Sequence, residues 1–391
     1  MAVEQGWHRM AFALAVAAAL AMCTLPQVLA APATEPWTAD GEVGGIDPQG
    51  CMARLFSGND SGANAQPTDI TNIFFIKVMP VRPTLDGDEL CGLESAMRAF
   101  SEQQLARPRI TVCVYLLTTS DFVPPPTVAS LEQFYGMRLN VLTWEDYIAR
   151  WRAAGTLPHM LNWLDSGIWR KGYVLNNLSN GMRLVLVYNH GGAYFDLDIA
   201  QVTHPRDTTN FISWQSVNGH LNNAALRFQR HYEFLDVVSR RFAEKFDGET
   251  WGHNGPKRLT ETYHEFCKPP AGSPSPPGWC TEMQFFLPQS YYPVFYKNRS
   301  QLYNKDEGRL VEIGPKTFGV HLWKAVRKRV SAVEPGSIFH KLAQRVCPVT
   351  LMELGLEGLG PSEFAEKGQQ RPPQAIPSQK QSGTAAGAGV Q

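Results

Sequence analysis

From residue 70 to about residue 200, short apolar runs alternate with helix-spaced apolar stripes. Thr71 to Ile76 reads as a buried strand, and a loop with Pro80, Pro83 and Gly87 follows it. Leu90, Leu93, Ala96, Met97 and Phe100 then recur at helical spacing, with Glu94 and Arg98 placed as an i, i+4 pair. Ile110 to Leu117 and Leu139 to Leu142 are further β-rich runs. Thr143 is placed to cap a helix running from Trp144 through Tyr147, Ile148 and Trp151, and Ser179 to cap one that ends at His190. The apolar run Met182 to Tyr188 closes on Gly191-Gly192, as a left-handed helix cap requires, and Ala193 to Phe195 reads as a buried strand. Strands alternating with helices predict an α/β layer structure with a mainly parallel central sheet flanked by helices.

Beyond residue 200 helix and loop predominate. Phe234, Val237, Val238 and Phe242 form a core stripe, and Gly252 to Pro256 is a tight turn before another helix. Met283 to Leu287 and Val294 to Tyr296 read as short strands, and Lys324 to Arg329 as the solvated face of a helix. The ends differ from the middle. In residues 1–31 an apolar run from Met10 to Leu25 is interrupted by Pro26 and resumes at Val28. It reads either as a signal anchor or as a signal peptide cleaved between Ala30 and Ala31. Residues 32–68, rich in Gly, Pro, Asp and Ala, read as a flexible stem, residues 69–350 as the folded domain, and residues 351–391 as a disordered tail.

Lys and Arg number 36 against 36 Asp and Glu, so no net field attracts nucleic acid, and no nucleic-acid partner is expected. Both N-terminal readings export the chain from the cytosol. Six cysteines, Cys51, Cys91, Cys113, Cys267, Cys280 and Cys347, lie outside the apolar run, an even number for an oxidising lumen. Cys267 and Cys280 bracket one loop and are the readiest pair. Cys91 and Cys113 read equally well as small buried apolar residues. Sequons stand at Asn59, Asn177 and Asn298, usable only where exposed.

The candidate chemistry lies at Asp196-Leu197-Asp198. On an extended chain the two carboxylates project to one side and Leu197 to the other. Paired acids at a strand end form a hard oxygen site suited to Mg2+ or Mn2+, an ion able to bridge a pyrophosphate and neutralise a departing nucleotide.

Seven segments in order resemble the α1,4-glycosyltransferases related to lactosylceramide 4-alpha-galactosyltransferase. They are Asn72–Ile76, Leu90–Ala96, Gly191–Asp198, Asn222–Ala224, Gly252–Pro256, His321–Trp323 and Cys347-Pro348, and together they cover roughly residues 70 to 350. The resemblance implies a GT-A-like, Rossmann-like nucleotide-sugar domain, with Mn2+ or alternatively Mg2+ as cofactor. Its donor would be UDP-galactose or UDP-N-acetylgalactosamine, and its acceptor a galactose-terminated glycolipid or glycoprotein. Transfer would retain the anomeric configuration, in a type II Golgi membrane enzyme with a luminal domain; secretion after cleavage is the alternative.

Carried over residue by residue, Asp196, Asp198 and His321 would hold the metal. Asn72, Phe74, Phe75, Asn180, Arg183, Asp196 and Lys324 would lie on the donor side, and Asn222, Asn223 and Gly255 on the sugar and acceptor side. No residue identifies itself as a catalytic nucleophile. The chain departs from its relatives at Asn180, where they carry aspartate, at Gly181, expected to weaken its helix by about 1 kcal/mol against alanine, and at Lys324, where many carry asparagine. Asn180 and Gly181 motivate a second reading, a luminal nucleotide-sugar or glycan-binding protein that has lost turnover.

Overall fold

Ile73, Phe74, Phe75 and Ile76 of the first strand are all buried, on both of its faces. In the computed structural model, which describes residues 48–56, 70–78, 83–107, 110–205, 208–217, 219–270, 273–307, 311, 313–324 and 333–359, Ile73 and Phe75 enter one hydrophobic core and Phe74 and Ile76 the other. A strand covered on both faces reads as a continuous apolar run, as parallel central strands do. The sheet has the order β3-β2-β1-β4-β7-β6-β8. Its strands are β1 (Ile70–Lys77), β2 (Thr111–Thr118), β3 (Leu139–Thr143), β4 (Gly192–Phe195), β6 (Phe211–Trp214), β7 (Leu221–Phe228) and β8 (Gln284–Phe286). β1, β2, β3 and β4 are mutually parallel, β7 runs antiparallel to both β4 and β6, and β8 is parallel to β6. A two-stranded sheet joins β5 (Ile199–Gln201) to β9 (Gly319–His321).

The main helices are α1 (Pro48–Phe56), α2 (Gly87–Ala106), α3 (Pro126–Tyr135), α4 (Trp144–Ala154), α5 (Pro158–Ser166), α6 (Val174–His190), α7 (Glu233–Glu244), α8 (Arg258–Cys267), α9 (Ile338–Val346) and α10 (Pro348–Gly358). The expected α/β architecture, a mainly parallel sheet flanked by helices, is the one observed. Among the described residues no helix is long and apolar enough to cross a membrane. The N-terminal segment 1–31 and the Lys324 to Arg329 cluster beyond Lys324 itself lie outside the described residues.

Local readings shift where tertiary contacts intervene. Ser179 caps nothing: α6 begins at Val174, and the Ser179 hydroxyl instead accepts a hydrogen bond from Arg183 Nη2 at 2.8 Å. Val294 to Tyr296 is not a strand; it leads into a short 3-10 turn, Tyr296–Asn298. Glu94 is not Arg98's partner. It is wholly buried and accepts from the backbone N–H groups of Val349 (2.9 Å) and Thr350 (2.7 Å), where a carboxylate also complements the start of α10. Helix α10 and the buried Leu359 after it carry the folded unit nine residues past the boundary expected at 350.

Helix α1 likewise forms inside the stretch 32–68 expected to be stem, because a disulfide ties Cys51 to Cys113 on β2. The other pairs are Cys91–Cys347 and Cys267–Cys280. Cys91 and Cys113 are therefore cross-links as well as core residues. Asn177 is shut off from glycosylation: it is buried, and its amide donates to the carbonyls of Lys171 and Gly248. Asn298 is exposed, while Asn59 lies outside the described residues.

Gly181 has a packing reason. A Cβ there would stand 2.7 Å from the Trp163 ring and 3.3 Å from Phe242. Trp163 and Phe242 already meet edge to face at 5.0 Å. Gly181→Ala is expected to lower stability by about 1–3 kcal/mol through overpacking, despite alanine's better helix propensity. A lower thermal midpoint of the variant checks this, and a rise refutes it.

His190, at the end of α6, is half-buried beside Tyr147, with the hydroxyl 3.3 Å from Nε2. Burial, helped by Arg230, lowers its pKa from 6.5 to about 4. The unfolded chain therefore binds a proton between those values that the fold excludes. The stability this represents is complete above pH 6.5 and is lost as pH falls through about 4, at up to about 1.4 kcal/mol per pH unit. Denaturant melts of the wild type and of His190→Gln at pH 7, 5.5 and 4.5 should show a shallower acid dependence in the variant.

Candidate active site

Gly192 lets β4 begin. Its φ is 109°, and a Cβ would fall 2.3 Å from the Asn72 carbonyl oxygen on β1. From there β4 carries the chain to Asp196 at the carboxyl edge of the sheet, where ligands of such sheets bind. The two acids do not meet through strand alternation, as expected of an extended chain. Residues 196–199 form a turn closed by Ile199 N–H on the Asp196 carbonyl at 3.0 Å. β5 then pairs Ile199 with His321 of β9, which brings the imidazole to both carboxylates.

Helix α2 supports this turn closely. A Cβ at Gly92 would overlap the Leu197 carbonyl at 1.9 Å, and the Ser95 hydroxyl accepts from Gln201 N–H at 2.7 Å. Leu90 to Ala96 thus acts as the back wall of the acidic turn.

Each carboxylate has one oxygen held by protein and one left facing inward. Asp196 Oδ1 accepts from the Tyr194 hydroxyl at 2.6 Å and pairs with Arg183 Nη2 at 3.0 Å, while Oδ2 faces His321 Nε2 at 3.9 Å. Asp198 Oδ2 accepts from Lys324 N–H at 2.8 Å, and Oδ1 lies 3.4 Å from the same Nε2. All three ligand atoms lie within 4.8 Å of one another. Two carboxylates and an imidazole at this spacing, each carboxylate oriented by its second oxygen, fit a small divalent cation of the Mn2+ or Mg2+ kind.

Electrostatics agree. Burial opposes charge on Asp198, but His321, the Lys324 N–H and the Lys324 charge outweigh it and bring the carboxyl down to about 2. Burial likewise opposes charge on His321, yet Asp198 and Asp196 raise it to about 9. His321 Nδ1 is buried without a hydrogen-bond partner among the described residues, and the ring meets Trp323 edge-on at 4.1 Å. Without a cation, the imidazolium is what balances the two acids.

Arg183 links this centre to the asparagine cluster. Its guanidinium lies over the Tyr194 ring at 4.4 Å and donates to the Asn223 carbonyl at 2.8 Å. Asn223 Nδ2 donates to Asn180 Oδ1 at 2.8 Å, and a Cβ on Gly255 would stand 2.7 Å from both of those amide atoms. Arg183, Asn180, Asn223 and Gly255 are therefore assembled beside Asp196, because β7 starts where β4 ends and Asp196 N–H donates to the Ala224 carbonyl. Asn222 is engaged separately, donating to Gln215 and accepting from Ala224 N–H.

Several expected donor-side residues are placed elsewhere. Asn72 sits at the amino-terminal half of β1, away from the acids, and its amide donates to the His190 carbonyl at 3.1 Å. Phe74 and Phe75 fill the two cores and expose nothing. On β1 it is Lys77, not Asn72, that reaches the carboxyl edge. Lys324 is not free to serve a pyrophosphate: its ammonium pairs with Asp86 and, at 2.7 Å, with Glu89. Its backbone N–H holds Asp198, and its paired charge acts on that carboxylate only through space. Asn180 is buried with its amide spent on Asn176 and Asn223, and it does not pair with Arg183.

Sequence reasoning did not find Tyr194, Asp86 or Glu89. Tyr194 lies two residues before Asp196, and Asp86-x-x-Glu89 has the form of a capping box, which it is. The pairing of both acids with a lysine more than 230 residues later has no local signal.

The α/β sheet thus delivers two carboxylates and an imidazole to one point at its carboxyl edge, where ligands of such sheets bind. Residues 227–354 match the family model for the alpha 1,4-glycosyltransferase conserved region. The chain is 30% identical over 187 residues to lactosylceramide 4-alpha-galactosyltransferase of Pongo pygmaeus, 47% of this chain and 84% of that one. It is 27% identical over 284 residues to the Rattus norvegicus enzyme of the same name, covering 71% and 74%. The alpha-1,4-N-acetylglucosaminyltransferase of Homo sapiens is 25% identical over 275 residues, covering 68% and 77%. A solved structure, the PaToxG glycosyltransferase, aligns at TM-score 0.36 and 14% identity over 50% of this chain and 69% of its own, too little to bear on the site. The chain belongs to the α1,4-glycosyltransferase family.

Proposed function

We propose that this enzyme transfers galactose, or next N-acetylgalactosamine, from its UDP-sugar in α1,4 linkage to a galactose-terminated glycolipid or glycan, with retention of configuration. The observation that carries this is the convergence of Asp196, Asp198 and His321 in a chain of this family. A Mn2+ or Mg2+ ion held by these three would supply positive charge against the diphosphate as it departs. Arg183 and Tyr194 hold Asp196 in one rotamer, and the Lys324 N–H does the same for Asp198, so the inward oxygens need no reorganisation. To hold such an ion His321 would be neutral, since metal ligands bind deprotonated. The acceptor hydroxyl approaches on the face that the UDP leaves. The new bond forms from that oxygen to the anomeric carbon as the bond to the β-phosphate oxygen breaks, and the hydroxyl proton passes to the departing phosphate.

Six paired cysteines and the apolar run Met10 to Leu25 support a luminal Golgi domain on an N-terminal anchor, with secretion after Ala30 as the alternative. Purified residues 32–391, assayed with UDP-galactose, UDP-N-acetylgalactosamine and UDP-N-acetylglucosamine plus Mn2+ on lactoside acceptors, test the reading, with linkage read by NMR. Fastest transfer from UDP-N-acetylglucosamine would overturn the donor assignment, and a β-linked product would overturn retention. The binding-protein reading loses its motive. Gly181 answers to Trp163, and Asn180 is satisfied by Asn176 and Asn223.

A further inference from the structure

Two large aromatic side chains stand exposed beyond the carboxyl edge of the sheet. Tyr173 is 44% and Trp251 49% exposed, and their rings meet edge to face with centroids 5.1 Å apart. Neither belongs to the core, and neither bears on the cation site. Adjoining exposed aromatics are uncommon on a surface with no partner.

Their loops are braced against each other. Tyr173 N–H donates to the Gly248 carbonyl at 2.9 Å. A Cβ on Gly172 would stand 2.3 Å from that same oxygen, at a φ of 61° that suits glycine. Asn177 donates from Nδ2 to the carbonyls of Lys171 and Gly248, and Asn254 Nδ2 donates to Asn177 Oδ1 at 3.0 Å and to the Asp247 carbonyl. This buried asparagine pair fixes the Lys171–Tyr173 and Gly248–Trp251 segments together. The aromatic pair is thus pre-organised, which lowers the ordering cost of binding.

Its position relates it to the centre. Tyr173 immediately precedes α6, and Arg183, which holds Asp196, lies ten residues along that helix, about 15 Å by helical rise. Trp251 is four residues before Gly255, which packs on Asn180 and Asn223 beside Arg183. A helical rise of that length matches roughly two or three pyranose rings.

We infer that Tyr173 and Trp251 form an outer acceptor subsite that stacks the C–H face of a non-reacting pyranose ring, the second or third sugar of the acceptor. This rests on the reading of the chain as a transferase acting on glycans. An indole face offers apolar contact to the axial C–H groups of a sugar, while the ring hydroxyls stay in water. Binding energy from such a remote ring positions the reacting one.

The test compares galactosides of one, two, three and four sugars as acceptors in wild type, Trp251→Ala, Trp251→Phe and Tyr173→Ala. Trp251→Ala should raise KM about tenfold for tri- and tetrasaccharides, at the order of a single interface hot spot. KM for the monosaccharide and for the UDP-sugar should not change, and Trp251→Phe should recover most of the loss. An equal effect on all acceptors, or none on any, overturns the subsite. So does a loss confined to glycolipid in vesicles with soluble oligosaccharides unaffected, which would mark a membrane contact. Saturation-transfer NMR with the tetrasaccharide reads binding without turnover. Should transfer fail altogether, ring contacts in wild type that vanish in Trp251→Ala sustain the subsite, and their absence in wild type removes it.

Discussion

Asp198→Ala is expected to cut the rate of sugar transfer by about a thousandfold or more while the protein remains folded. Asp198 supplies one inward oxygen, and its charge stabilises His321 and would stabilise a bound cation in the same way. Losing it removes a ligand from a three-ligand set, and charge stabilisation by a bound cation is worth several kcal/mol in such displacements. Two further consequences separate this from a packing defect. Mn2+ should no longer raise the thermal midpoint, because stabilisation by a ligand tracks its affinity for the native state. His321, without its nearest acid, should titrate at lower pH by NMR. Undiminished turnover in the variant would remove the metal assignment.

The second large effect concerns stability. Cys91 on α2 is joined to Cys347 between α9 and α10, across 256 residues of sequence. Closing a loop of that length restricts the unfolded chain by about 5 kcal/mol in the chain-entropy model, with measured losses on removing native disulfides of roughly 2–5 kcal/mol. The double variant Cys91→Ala/Cys347→Ala should therefore lose several kcal/mol, with a thermal midpoint lower by roughly 3–8 °C. Activity should fall earlier than the fold on heating. Gly92 and Ser95, which support the acidic turn, lie on the same helix turn as Cys91. Melting curves and residual activity along the same temperature ramp check both parts. A midpoint unchanged within 1 °C of the wild type would show that the cross-link is not a main support (~1 °C being under 1 kcal/mol for a chain of this size).

Much of this protein is legible without coordinates because its signals are local. The strands around Ile73, Val114 and Ala193 declare themselves as apolar runs, since strands buried on both faces leave no polar alternation. Gly191-Gly192 marks a helix end and a close backbone approach, both properties of glycine itself. Asp196 and Asp198 stand out because paired acids after a buried strand have few structural uses.

Tertiary structure alone decided what those residues meet. His321 reaches the acids through β5–β9 pairing, over a separation that no periodicity encodes. Lys324 looked like a charge available to phosphate until Asp86 and Glu89 were found on either side of its ammonium. Phe74, placed near the nucleotide by its neighbours in sequence, is core because alternate residues of a central strand face its two covering layers. Gly181, a weak helix former by propensity, is required by the Trp163 ring, and Ser179 sits inside the helix it was expected to begin. Residue type and spacing carry the chemistry a site can perform. Which side chains share that site depends on contacts between distant segments, and these exist only once the chain has folded.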